Sequence, residues 1–286
     1  MFDINYFKTS QRPNWCPGCG DYGILTATRM ALAEMDVEPW KVVLVSGIGC
    51  SSKLPHWVSK VYGFHGVHGR VLPAATGVKL ANNEVTVIGF AGDGDAYGIG
   101  TCHFIHAMRR NLDLTYIVHN NKVYGLTTGQ TSPTSDKGFA TKSTPMGVIE
   151  LPVNPIALAI ASGATYVSRA YSGDVRHLRD LIVEAVKHRG FALIDVLQPC
   201  VTFNRKNTYE WFSERIYKLE ETDHDVKDKM QAFAKAFEWE ERIPIGLFYR
   251  EIRPTYEDEL PQMTVEPLVS QDVADVDISE LMGTLT

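Results

Sequence analysis

Cysteine and carboxylate residues carry most of the chemical capacity of this sequence. Cys16 and Cys19 form a C-x-x-C around Pro17-Gly18, Cys50 follows Gly49, and Cys200 follows Pro199, while Cys102 stands alone in an apolar segment and reads as a buried thiol. Five cysteines in 286 residues are too few for a disulfide scaffold. A reducing compartment keeps them as thiols unless a metal holds them.

The second constellation is Phe90-Ala91-Gly92-Asp93-Gly94-Asp95-Ala96-Tyr97-Gly98, which follows a strand-like run and opens a helix. Such a turn binds phosphates, because glycines admit a close approach and a helix N-terminus offers unpaired N–H groups. Gly92, Gly94 and Gly98 miss the dinucleotide G-x-G-x-x-G spacing. Asp93 and Asp95 would also repel a pyrophosphate unless a divalent cation lay between them, and Mg²⁺ accepts a few protein oxygens together with phosphate oxygens. Asn121 lies twenty-eight positions beyond Asp93 at the end of the next strand-like run, an interval that one crossover helix fills. It could add a side-chain carbonyl to the same ion, although Asn120-Asn121 could equally be a turn after a strand.

The elements that must hold these groups read as α/β. Lys41–Ser46, Val85–Phe90, Leu114–Val118 and Phe191–Val196 are short β-branched runs suited to strands buried on both faces. Asp174–His188 repeats Val175, Leu178, Leu181, Ile182, Ala185 and Val186 at helical steps before Gly190, and Tyr22–Met35 and Ala96–Arg110 read as helices too. The pattern predicts a mostly parallel sheet flanked by helices, with its site at the carboxyl ends of the strands. Residues 1–205 form this domain, and 206–286 read as a C-terminal extension. Val226, Met230, Phe233, Ala234 and Phe237 mark a helix there. The last twenty-two residues carry Glu266, Asp272, Asp275, Asp277 and Glu280 with no Lys or Arg, either a solvated tail or an arm for a partner subunit.

Composition narrows the function classes. With 44% hydrophobic and 22% charged residues and a net charge of −6, the chain has apolar mass for a core and no positive field for nucleic acid. The longest uncharged stretch, residues 151–168, contains Asn154, Pro155 and Gly163 and does not read as a membrane span, and the first residues lack the order of a secretory signal. The expected location is the cytoplasm.

With Gly92-Asp93-Gly94 followed by Asn120-Asn121, the sequence resembles the thiamine-diphosphate enzymes of pyrophosphate type. Trp15-Cys16-Pro17-Gly18-Cys19-Gly20, Ile48-Gly49-Cys50-Ser51-Ser52-Lys53, His68-Gly69-Arg70, Ala75-Thr76-Gly77 and the run from Tyr124 to Thr134 narrow this to the β subunit of the two-subunit 2-oxoacid:ferredoxin oxidoreductases. The similarity runs in order over residues 10–205, and Ile243–Phe248 continues it. It implies one [4Fe–4S] cluster on Cys16, Cys19, Cys50 and Cys200, a set that residue identity alone would also allow for structural zinc. It further implies thiamine diphosphate with Mg²⁺ on Asp93, Asn121 and the carbonyl of Val123. Gly94, Asp95, Gly125 and Leu126 would surround the diphosphate, and Ile48, Gly49, Cys50, Ser51 and His68 would line the same pocket. Cys50 thereby belongs to both sites. His68 is otherwise a loop histidine, and Lys53, placed to sense substrate charge, is otherwise a surface cation.

The implied reaction is oxidative decarboxylation of a 2-oxoacid, with electrons passing through the cluster to ferredoxin and the acyl group to coenzyme A, reversible as reductive carboxylation. It needs an α subunit, which supplies the glutamate that activates the cofactor, in a heterodimer or a dimer of heterodimers. Tyr124-Gly125-Leu126-Thr127-Thr128-Gly129-Gln130 resembles the forms acting on 2-oxoglutarate, but Thr128 stands where many relatives have lysine, which puts the contact to a second carboxylate in doubt. Pyruvate or a broad range of 2-oxoacids remains an alternative, as does a non-redox thiamine-diphosphate decarboxylase or synthase with structural zinc.

Overall fold

The computed structural model describes residues 2–263, 265–272, 274 and 276–285. Its strands are β1 (Val42–Ser46), β2 (Tyr62–His65), β3 (Thr86–Gly92), β4 (Leu114–Asn120), the short pair β5 (Val123–Tyr124) and β6 (Gln130–Thr131), β7 (Tyr166–Tyr171), β8 (Phe191–Leu197), β9 (Ile216–Lys218) and β10 (Ile243–Arg250). Eight of them form one sheet in the order β2-β1-β3-β4-β8-β7-β10-β9, and β5 pairs with β6 apart from it. The sheet is parallel except where β10 runs antiparallel to β7.

Period-two alternation sorts the strand side chains between two layers. Ile88, Phe90 and Ile194 pack toward α1 (Asp21–Glu34), with the helix Val175–Lys187 on the same side, whereas Val87, Ala91 and Leu193 face the layer containing α2 (Val71–Ala81), α3 (Thr101–Arg110) and α4 (Pro155–Ala161). α5 (Val175–Lys187) starts where the Asp174 side chain accepts the His177 N–H and buries Leu178, Leu181, Ile182 and Ala185. This is the capped amphipathic helix that the residue spacing predicts. β4 and β8 are buried along their whole length, as the β-branched runs require.

Three local expectations need correction. The helix read over Ala96–Arg110 is a π-helical segment, Gly94–Ile99, followed at Gly100 by α3. The Gly100 N–H bonds Asp95 O, and a Cβ at Gly100 would lie 2.8 Å from that carbonyl, so glycine permits the widened turn. Cys102 is exposed on α3, because the face that packs inward presents Phe104, Ala107 and Met108. After α6 (Tyr209–Ser213), the C-terminal amphipathic helix is only α7 (Lys229–Lys235); it buries Ala232, while Met230 and Phe237 are exposed.

β9 and β10, from the segment after residue 205, complete one end of the sheet. The described residues beyond 264 are largely exposed, and the short helix α8 (Ser279–Gly283) buries no side chain. Asp275 and Thr286 of the acidic tail lie outside the described residues. Among the described residues no helix is long and apolar enough to cross a membrane.

Candidate active site

From β1 the chain turns to β2 on one side, and β3 then pairs on the other side of β1, so the order reverses at the β1–β3 boundary. In an open parallel sheet the carboxyl ends of strands at such a reversal leave a crevice. Gly47–Ser51 leave β1 there, Asp93–Asp95 leave β3, and Asn121–Val123 leave β4, whose end is level with that of β3 through the Gly92–His119 pairing.

All of Ile48, Gly49, Cys50, Ser51, His68, Asp93, Gly94, Asp95, Asn121, Val123, Gly125 and Leu126 line this single cleft. Its floor is glycine for steric reasons. A Cβ at Gly94 would meet the Tyr124 ring at 2.2 Å, and one at Gly47 would meet Asp95 Oδ2 at 2.0 Å.

The two aspartates have different surroundings. Asp93 is buried and accepts from the hydroxyls of Ser132 and Thr134, yet loss of water dominates and lifts its carboxyl from 3.8 to about 6. Asp95 Oδ1 takes the N–H of Gly69 at 2.7 Å and faces the His68 ring and the Ile48 N–H, which fastens three loops together. Its Oδ2 is buried without a hydrogen-bond partner, as is Ser51 Oγ. Burial raises the Asp95 pKa as well.

The Asn-Asn pair divides its work. Asn121 lines the cleft and folds its Oδ1 back onto the Val123 N–H at 3.0 Å. Asn120 points the other way, giving Nδ2 to Asp195 at 3.1 Å and taking the Thr134 hydroxyl at 2.9 Å. Ser132, Thr134, Asp195 and Tyr124 belong to the site's surroundings, and the sequence alone assigns none of them a role. Two hydroxyls closely following the Asn-Asn turn are the available signal for Ser132 and Thr134.

Cys16, Cys19, Cys50 and Cys200 line a neighbouring cavity of about 220 Å³ together with Lys53 and Thr128. Cys50, Asn121, Gly125 and Leu126 line both spaces. A Cβ at Gly125 would stand 3.7 Å from Cys50 Sγ, 3.8 Å from Asn121 Nδ2 and 3.9 Å from Cys200 Sγ, so three distant parts of the chain converge there. Burial pushes the Cys50 thiol up to about 11 and raises those of Cys19 and Cys200. Backbone N–H groups of Phe203, Thr202 and Asn204 oppose that rise at Cys200. Cys19 Sγ meets the Asp21 carboxylate at 3.4 Å and Gln198 Nε2 at 3.3 Å. Among the described residues no three His, Cys, Asp or Glu side chains converge closely enough to hold a single metal ion.

Lys53 reaches Asn14 Oδ1 at 3.4 Å at the edge of this cavity. Thr128 has φ +77°, a left-handed conformation uncommon for a β-branched residue, closed by hydrogen bonds from its own N–H to Gly125 O and from Gly129 N–H to Tyr124 O.

Comparisons with known proteins show the family and the fold. Residues 47–196 match the family described as thiamine pyrophosphate enzyme, C-terminal TPP binding domain, and residues 200–265 match the family of the C-terminal part of the pyruvate ferredoxin oxidoreductase beta chain. The 2-oxoacid:ferredoxin oxidoreductase subunit beta of Saccharolobus solfataricus is 50% identical over 92% of this chain and 90% of its own length. The 2-oxoglutarate synthase subunit KorB of Archaeoglobus fulgidus is 40% identical over 82% of this chain and 92% of its own. A solved structure, the 2-oxoglutarate:ferredoxin oxidoreductase from Magnetococcus marinus with 2-oxoglutarate, coenzyme A and succinyl-CoA bound, superposes with a TM-score of 0.92 at 34% identity. That match covers 100% of this chain and 96% of the other.

Proposed function

Because the chain belongs to the β subunits of the 2-oxoacid:ferredoxin oxidoreductases, we propose that its cleft holds thiamine diphosphate through Mg²⁺ and that its cysteine cavity holds a [4Fe–4S] cluster. The observation that carries this reading is the wall shared by the two spaces, in which Cys50, Asn121, Gly125 and Leu126 take part. The residues fit the groups. Asp93 and Asn121 are hard oxygen donors at the end of a glycine cradle, and the orphaned Asp95 Oδ2 and Ser51 Oγ are polar atoms at the cleft that still lack a partner. Four thiols around a cavity of about 220 Å³ suit a polynuclear cluster. A single zinc with sulfur at about 2.3 Å would draw them into a closed tetrahedron.

When bound, the cofactor supplies the electron sink for decarboxylating a 2-oxoacid and the cluster supplies one-electron acceptance. The protein's contribution is position. Asp93 and Asn121 fix the diphosphate end, the Asp95 bonds to Gly69 and Ile48 hold the β1 and His68 loops against it, and Cys50 brings the cluster cavity to the same wall. Lys53 and Thr128 stand where a substrate would approach from the cysteine side.

The carboxylates among the described residues lining the cleft are Asp93 and Asp95, both committed to the diphosphate end. We therefore assign activation of the aminopyrimidine to a carboxylate of an α subunit. The division near residue 205 leaves both cofactor sites in the first part and gives the second part the role of meeting the α subunit. Anaerobic ferredoxin reduction with 2-oxoglutarate and coenzyme A should appear only when the α subunit is mixed with this chain. Full activity from the chain alone would refute the assignment.

The preferred substrate in this reading is 2-oxoglutarate, as the names of the relatives support. Ferredoxin, coenzyme A and a cytoplasmic setting complete it. Thr128 offers a hydroxyl to a distal carboxylate where an ammonium would make a charge-assisted bond. Thr128→Lys should raise kcat/KM for 2-oxoglutarate relative to pyruvate by about tenfold, the worth of one charged hydrogen bond. An unchanged ratio would place the second-carboxylate contact elsewhere.

A further inference from the structure

On the face of the sheet away from the cysteines, behind Asp93, lies a separate cavity of about 280 Å³ that the reaction does not use. Its floor is polar and buried. Arg169 on β7 is 2% exposed and pairs across the sheet with Asp195 on β8, itself 1% exposed. Their closest approach is 3.6 Å from Nε to Oδ2, which is ion-pair distance and longer than a hydrogen bond. Nε has no hydrogen-bond partner, and Nη1 makes a long bond to Pro244 O at 3.4 Å. Asp195 spends Oδ1 on the Tyr97 hydroxyl at 2.9 Å and on Asn120. Lys122, also buried, lies 4.3 Å from the Trp239 ring centre and pairs with Asp136 outside the cavity at 2.6 Å. The remaining walls are mostly apolar, with Pro152, Val153, Phe237 and Trp239 among them.

A buried ion pair kept for structure is stable when its remaining protons are satisfied. Here the guanidinium Nε is left over, and the lining carries two cations, Arg169 and the Lys122 that Asp136 already partners from outside, against the single lining carboxylate of Asp195. One unspent guanidinium donor, a flat aromatic wall and apolar sides define a ligand with a charged acceptor and a short apolar or aromatic body.

We propose that this cavity binds a small organic carboxylate, its oxygens at Arg169 and Lys122 and its body against Trp239. The site is joined to the cleft. Thr134 and Asn120 line it, and the Thr134 hydroxyl contacts both Asn120 Oδ1 and Asp93 Oδ2. A bound carboxylate therefore acts on Asp93, a consequence that rests on the reading of Asp93 as a metal ligand.

Benzoate and its neutral counterpart benzamide test the proposal on the assembled α–β complex, read by tryptophan fluorescence with Trp239→Phe to identify the responding ring. Benzoate should quench saturably and bind at least about tenfold more tightly than benzamide, the difference a charged hydrogen bond supplies. Arg169→Met should remove that difference. Should this variant fail to fold, crystals of the unaltered complex soaked in 4-bromobenzoate decide, with bromine expected beside Trp239. Equal binding of benzoate and benzamide, no saturable binding, or bromine only at other positions would overturn the site. The coupling is read separately, as a benzoate-dependent shift in the Mg²⁺ concentration needed for half-maximal thiamine diphosphate binding. Binding without that shift would overturn the coupling alone, whereas failure of the metal reading would appear as Mg²⁺ dependence unaltered by Asp93→Asn.

Discussion

Asp93→Asn should yield a protein that unfolds at a higher temperature than the parent when free of cofactor at pH 7, and that no longer retains thiamine diphosphate with Mg²⁺. Both effects follow from one buried carboxyl. Burial lifts its pKa from 3.8 to about 6, so near neutrality the folded chain carries an ionised group that water would stabilise better. A shift of that size amounts to about 3 kcal/mol at full expression, less whatever the hydroxyls of Ser132 and Thr134 lose against an amide. The linked pH dependence has a definite sign. A carboxyl raised in the folded state contributes stability that is fully present below about 3.8 and is lost as pH rises through about 6, so acidification across that window adds to the stability of the cofactor-free parent a contribution that Asp93→Asn lacks.

For function the ionised carboxylate is required. Removing even outer partners of bound metals costs about 10- to 100-fold. Losing a direct anionic ligand should lower 2-oxoacid-dependent ferredoxin reduction by at least about a hundredfold. Calorimetric titration of thiamine diphosphate in the presence of Mg²⁺, beside thermal unfolding of the cofactor-free protein, checks the two halves independently. Parental cofactor affinity in Asp93→Asn would remove Asp93 from the metal site.

How far the sequence reveals this arrangement depends on the range of the interaction. α5 is legible because its cap at Asp174 and its buried stripe from Leu178 to Ala185 are local. The strands before and after the G-D-G turn are legible because burial on both faces selects continuous β-branched runs. The exposed edge strand β2 has no such run, and β10 enters beside β7 from a segment remote in sequence, a pairing that no local pattern encodes. The break at Gly100 is hidden from sequence because an α-helical and a π-helical turn can share the same apolar positions. Cys102 misleads for a related reason: cysteine is a residue type often buried, but the inward face of α3 is set by Phe104, Ala107 and Met108.

At the site, the residue types are readable and their mutual geometry is not. Nothing in Asn120-Asn121 says which amide turns to the cleft. The answer depends on Asp195 and Thr134, which come from other elements and take Asn120. The Arg169 cavity is invisible for the same reason, since its floor joins residues from three strands to Trp239.

Cys200→Ser should leave the fold and thiamine diphosphate binding intact while removing iron, acid-labile sulfide and ferredoxin reduction together. The parent complex, purified without oxygen, should contain about four irons per β chain with matching sulfide, the complement of a cubane on four thiolates. Cys200 supports this expectation because it is buried, lines the cavity with Cys16, Cys19 and Cys50, and receives backbone N–H groups from residues 202–204 that stabilise a thiolate. Serine keeps the side chain's shape but is a poor ligand for iron. Cys50→Ser differs in kind, since Cys50 lines the cofactor cleft as well, and it should weaken thiamine diphosphate binding in addition to losing iron. Cys102→Ser, at an exposed position on α3, should change neither, which excludes a general response to thiol loss. The contrast among the three variants separates the competing readings. Stoichiometric zinc without sulfide in intact anaerobic material would overturn electron transfer through this chain. Retained iron in Cys200→Ser would remove Cys200 from the ligand set.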